Sequence, residues 1–132
     1  MKVLVFVKMV LGVVGGYTGF VFGGYDTLML VLLGLIVFDY LTGVLCAVIE
    51  KSVSSKIGFN GILKKLLILI VVCVSVLIEK VISVDTPIRE IVIMFFIANE
   101  SISVLENISL YIPLPKQLIN ILKSIKDGSS NE

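Results

Sequence analysis

The sequence predicts an all-α integral membrane protein with four transmembrane helices and a short amphipathic helix at its C-terminal end. Three observations carry that expectation. The 132 residues are 58% hydrophobic and 16% charged, with a mean hydropathy of +1.12; soluble domains average about 45–50% apolar and about 25% charged. Apolar runs recur at the roughly 20-residue length that crosses a bilayer. The basic residues gather in alternate connections between those runs. Residues 1–112 are expected to form the membrane domain, and residues 113–132 an amphipathic helix with a polar tail.

The first run, residues 3–23, is broken only by Lys8, which lies near enough to one end to snorkel to the headgroups. A basic start and an apolar core also suit a signal peptide. Gly12, Gly15, Gly16, Gly19 and Gly23 instead fall at helical spacing and form overlapping pairs four residues apart. Such a ridge lets a second helix approach closely, so these glycines are candidate packing and oligomerisation positions. The plainer reading is a loosely packed helix weakened by glycine.

A Gly-Gly-Tyr-Asp turn at 23–26 leads to the second span, residues 27–49, with Asp26 or Thr27 as the expected cap. Asp39 is the one charge in that span, and a carboxylate there costs about 3 kcal/mol on insertion scales. Thr42 and Gly43 follow at i+3 and i+4, giving a small polar face. This face is either a hydrogen-bonding post between helices or part of an assembly surface.

Residues 50–61 form the longest polar connection, with Lys51 and Lys56 inside it and Lys64 and Lys65 just beyond. Its segment 54–61 reads as a structured turn, because Gly58 and Gly61 flank Phe59 and Asn60. The third span is then expected over 62–82, with Lys64 and Lys65 snorkelling at one end and Glu79 and Lys80 marking the other.

After a turn at 83–90, with Pro87 in the first turn of the next helix, the fourth span is unusual. Its large apolar residues return about 0.5 kcal/mol each on insertion, while Glu100 alone costs about 3. Asn99, Ser103, Glu106 and Asn107 share a helical stripe, with Glu100 on its flank. These five are the candidate pore-lining residues; intramolecular hydrogen bonding is the alternative. The helix crosses only if partners cover that stripe, and otherwise lies at the interface, leaving a three-span protein. Pro113 and Pro115 end it. Leu118, Ile121, Leu122 and Ile125 then make an apolar face opposite Lys116, Asn120 and Lys123, fit for an anionic leaflet.

With four spans and an inner N-terminus, nine basic residues fall on the cytoplasmic side and two, Lys80 and Arg89, outside. Both termini are therefore expected in the cytoplasm. The three-span version moves the C-terminal lysines outside.

The chain has no histidine and no nucleophile–base pair or phosphate loop, so an enzyme is not expected. Cys46 and Cys73 lie in apolar runs without ligand neighbours and read as small buried hydrophobes. No cofactor or metal site is expected, and a net charge of +1 gives no field for nucleic acid.

Four motifs stand in order: 39–43 (Asp-Tyr-Leu-Thr-Gly), 54–61 (Ser-Ser-Lys-Ile-Gly-Phe-Asn-Gly) with Lys64-Lys65, 99–107 (Asn-Glu-Ser-Ile-Ser-Val-Leu-Glu-Asn), and 114–116 (Leu-Pro-Lys). Together they resemble the toxin secretion/phage lysis holin family of Gram-positive phages and clostridia, over residues 23–126. The resemblance implies a small protein of the cytoplasmic membrane that accumulates as a homo-oligomer. It would then open a lesion for an endolysin or a large toxin as passing cargo. Family members are usually drawn with about three spans. The competing expectation is a non-lytic membrane scaffold whose 51–65 loop binds a cytoplasmic partner.

Overall fold

A computed structural model of the chain describes residues 1–82 and 85–127. Five helices follow one another: α1 (Lys2–Phe22), α2 (Thr27–Ile49), α3 (Ser55–Val81), α4 (Ile88–Ser109) and α5 (Lys116–Lys126). The first four are long and apolar enough to cross a membrane. Their outer faces carry large aliphatic and aromatic side chains such as Phe38, Leu67 and Phe95, as a lipid-facing surface requires. This is an all-α membrane protein.

Local chemistry sets the helix ends. Gly23 closes α1 with φ 75°, and Gly24 N–H donates to Gly19 O at 2.6 Å, a left-handed ending open to glycine at little cost. Asp26 caps α2 by accepting from Met29 N–H at 3.0 Å. Ser54 caps α3, accepting from Ile57 N–H at 3.5 Å.

That last cap corrects one expectation. Residues 55–61 are the first two turns of α3, not a connection before it. Gly58 and Gly61 do not punctuate a turn; they make room for Tyr40. A Cβ at Gly58 would sit 3.3 Å from the Tyr40 hydroxyl, and one at Gly61 3.4 Å from its ring. The turn expected at 83–90 is partly superseded as well, because α4 already begins at Ile88 after Pro87; residues 83 and 84 lie outside the described residues.

The core is small. Met29, Leu32 and Ile36 of α2 form a stripe that meets Val72 of α3 and Ile93 of α4. Helix α4 is the hub: it packs on α2, on α3 and on α5. At 100° per residue, Arg89, Ile93, Glu100 and Asn107 share one face, while buried Ala98 and Ile102 occupy the opposite one. Helix α1 contributes no buried residue and touches the bundle mainly through α3.

Candidate functional site: an ionic cluster between three helices

Near the middle of α2 and α4, one lysine joins two acids. Lys65 Nζ of α3 donates to Glu100 Oε2 of α4 at 2.6 Å and to Asp39 Oδ2 of α2. Glu100 is 2% exposed and Asp39 9%. Asn107 of α4 extends the network. Its side-chain amide donates to Thr42 Oγ1 at 3.0 Å and to Asp39 Oδ1 at 3.4 Å, and its backbone carbonyl accepts from Cys46 Sγ at 3.4 Å. Gly43 stands beside the Asn107 amide, where a Cβ would make an ordinary contact at 3.9 Å.

The sequence places these groups by simple spacing. Asp39, Thr42, Gly43 and Cys46 are one face of α2 at i, i+3, i+4 and i+7. Glu100 and Asn107 stand seven residues apart on α4. Lys65 shares its face with Val72 and Val76, both buried. Three helices thus bring one polar residue each to a common level, and the apolar stripe continues towards the α1–α2 turn.

A cavity of about 320 Å³ opens beside the cluster on the side of the 50–54 connection. Its walls include Val44, Ala47 and Ile57, and Asp39, Lys65 and Asn107 reach into it. Asp39, Lys65 and Asn107 thus share the wall of a recess with Lys64 and Ser52 to Ser54, while Glu100 lies behind that wall.

A second ionic assembly holds the other end of the bundle. Arg89, 4% exposed, donates from Nε to Phe22 O at 2.6 Å and from Nη2 to Gly24 O at 3.1 Å. Its Nη1 and Nη2 take Asp26 at 2.8 and 3.1 Å, and its own N–H donates to Glu79 Oε1 at 2.7 Å. The guanidinium supplies donors to carbonyls that the end of α1 leaves free. The Arg89 hydrogen bond holds the Asp26 carboxyl below its ordinary value of 3.8. Lys80 adds a contact over the Phe20 ring at 3.2 Å.

The candidate stripe on α4 divides between two surroundings. Glu100 and Asn107 point into the protomer. Asn99 and Ser103 are half-exposed. Glu106 is exposed and reaches Lys123 of α5 at 3.6 Å. The glycines divide too. Gly12, Gly15 and Gly16 have no neighbour within 4 Å of a built Cβ, Gly19 meets Tyr25, and Gly23 meets Arg89. Lys51 of the connection and Lys56 and Lys64 of α3 are exposed.

Lys65 is not at the surface. It was expected to snorkel; two buried carboxylates draw it inward, where its ammonium is the nearest counter-charge. Arg89 likewise proves to be a structural post and not a free outer charge. The signal for Lys65 was its seven-residue register with Val72, together with the rule that a charge inside a span finds a partner. Among the described residues, no three His, Cys, Asp or Glu side chains converge as a metal ion needs.

Four long apolar helices, three of them joined by a buried ionic cluster, define a small multi-pass membrane protein. The chain belongs to the bacteriophage holin family, whose family model matches residues 16–127. It is 40% identical to an uncharacterised protein of Listeria monocytogenes, over 89% of this chain and 84% of that one. A protein of Clostridium perfringens is 35% identical over 97% of this chain and 96% of its own length. An uncharacterised 14.9 kDa protein in the nagH 3′ region, also from Clostridium perfringens, is 39% identical, with 81% and 83% covered. No solved structure matches.

Proposed function

We propose that the protein is a holin in the narrow sense: it associates with copies of itself in the cytoplasmic membrane and opens a lesion through which an endolysin or a large toxin leaves the cell. It performs no catalysis in this reading. The observation that carries the proposal is membership of the holin family across residues 16–127. The arrangement of α1 is compatible with self-association, because its ridge at Gly12, Gly15 and Gly16 is open within the protomer.

The proposed orientation puts both termini and the 50–54 connection in the cytoplasm. Lys65 leaves the positive-inside count because it is internal, and Lys2, Lys8, Lys51, Lys56, Lys64 and the α5 lysines still outnumber Lys80 and Arg89. Carriage of Asn99, Ser103 and Glu106 on the outer side of α4 supports a lumen lined by this helix once several copies surround it.

Induced expression in a bacterial host tests the reading. Abrupt loss of membrane potential and arrest of growth are expected. A polarised membrane at high protein abundance contradicts the proposal and favours a non-lytic scaffold acting through residues 51–65.

A further inference from the structure

The cluster between α2, α3 and α4 does not balance its charges. Asp39 and Glu100 both contact one ammonium, and the remaining partners, Asn107 and Thr42, are neutral. Tyr40 and Cys46 on α2 bring no cation. Lys64 on α3 is exposed and lines the recess, and the ion pairs of both acids are made with Lys65. Lys123 on α5 is spent on exposed Glu106. With both carboxyls ionised, one negative charge would stand uncompensated where Glu100 is almost wholly removed from solvent. Burial without a partner is the condition under which a carboxyl takes up a proton instead of remaining charged. Two carboxyls that share a site and a single cation meet it.

We propose that the Asp39–Lys65–Glu100 cluster is a proton-binding site, holding one proton on its carboxyl pair in the packed protomer and exchanging it through the recess at the basic end. The proton makes the cluster neutral: one carboxylate pairs with the Lys65 ammonium, and the other carboxyl, as an acid, donates a hydrogen bond. Its departure leaves an unpaired carboxylate that favours water. Helix α4, which meets α2 and α3 through this cluster, then loses its central polar attachment. The packed arrangement binds one more proton than the separated helices do, so it is favoured by acid and loosened by alkali on the side where the recess opens. The 320 Å³ recess supplies the water route.

Infrared spectroscopy of the full chain in liposomes reads the proton directly. At neutral pH the wild-type protein is expected to show the C=O stretch of one protonated carboxyl. Glu100→Gln and Asp39→Asn should each remove that band, because the single remaining carboxylate pairs with Lys65. Both variants should keep their helix content by circular dichroism and lose the wild-type decline in thermal stability with rising pH. Filling the recess with Ala47→Phe should slow the shift of the band in heavy water several-fold. Absence of a protonated carboxyl from the wild type overturns the proposal. So does a band that survives in both variants, or a stability that follows sodium concentration and not pH. An unchanged exchange rate in Ala47→Phe overturns the route through the recess.

Discussion

The two ionic assemblies use the same elements for opposite situations. At the α1–α2 turn, Arg89 faces Asp26, whose side chain is 48% exposed, so water shares the charge. The guanidinium spends two further donors on backbone carbonyls that a helix end leaves open. At the centre of α2 and α4, Lys65 has two buried carboxyls and no such help. The difference teaches where each helix gets its register. The Arg89 clasp secures a loop to the start of α4, whereas the Lys65 cluster supplies the partners that a polar fourth helix needs to lie inside a membrane.

Deleting the lysine charge is the harshest way to break that comparison. Lys65→Met strands two carboxyls, and loss of one side of a buried ion pair costs about 3–5 kcal/mol. Unfolding of the purified protein in mild detergent should show that loss, with much of it recovered when Asp39→Asn and Glu100→Gln are added. Next comes Gly23→Ala. Its left-handed φ and a Cβ placed 2.7 Å from Arg89 Nε would disturb the clasp, with an expected loss of about 2 kcal/mol. Asn107→Ala should cost less, about 1 kcal/mol, because interhelical hydrogen bonds in membranes are individually modest. Gly16→Ala sharpens the contrast from the other side. With nothing within 4 Å, it should leave protomer unfolding within about 0.5 kcal/mol of wild type.

The assemblies should also separate by pH. Asp26 is held below 3.8 by Arg89, so the stabilisation it gives is full above that value and is lost as acid reaches the lowered folded value. Acid below about pH 4 therefore weakens the clasp, while the central cluster is loosened by alkali. Tyr111 donates to Glu50 at 2.8 Å and is pushed up to about 12. Its contribution is complete below the ordinary phenol value of about 10 and disappears as pH passes about 12. Absorbance titration of tyrosine in the wild type and in Glu50→Gln checks this.

Much of this was legible in the residues themselves. Hydropathy and the two prolines at 113 and 115 located the helices to within a turn or two, and Asp39, Thr42 and Gly43 announced a shared face. The start of α3 was not legible, because Gly58 and Gly61 look like turn residues until Tyr40 is seen against them. The split of the α4 stripe was hidden for a similar reason. Periodicity groups residues by angle, and Glu100 and Glu106 differ in what lies opposite each: Lys65 on α3 and Lys123 on α5. Partners from other helices, absent from any one-dimensional pattern, decided both.

The central claim is that α4 crosses the membrane despite its polar residues, held by the Lys65 cluster. Single cysteines at positions 56 and 123, in a chain whose Cys46 and Cys73 are replaced by serine, test it with an impermeant thiol reagent on intact cells and on inverted vesicles. Both positions are expected to label from the same side, and Lys65→Met is expected to move position 123 to the opposite side or to mixed labelling. Labelling of positions 56 and 123 from opposite sides in the otherwise unaltered protein would contradict it.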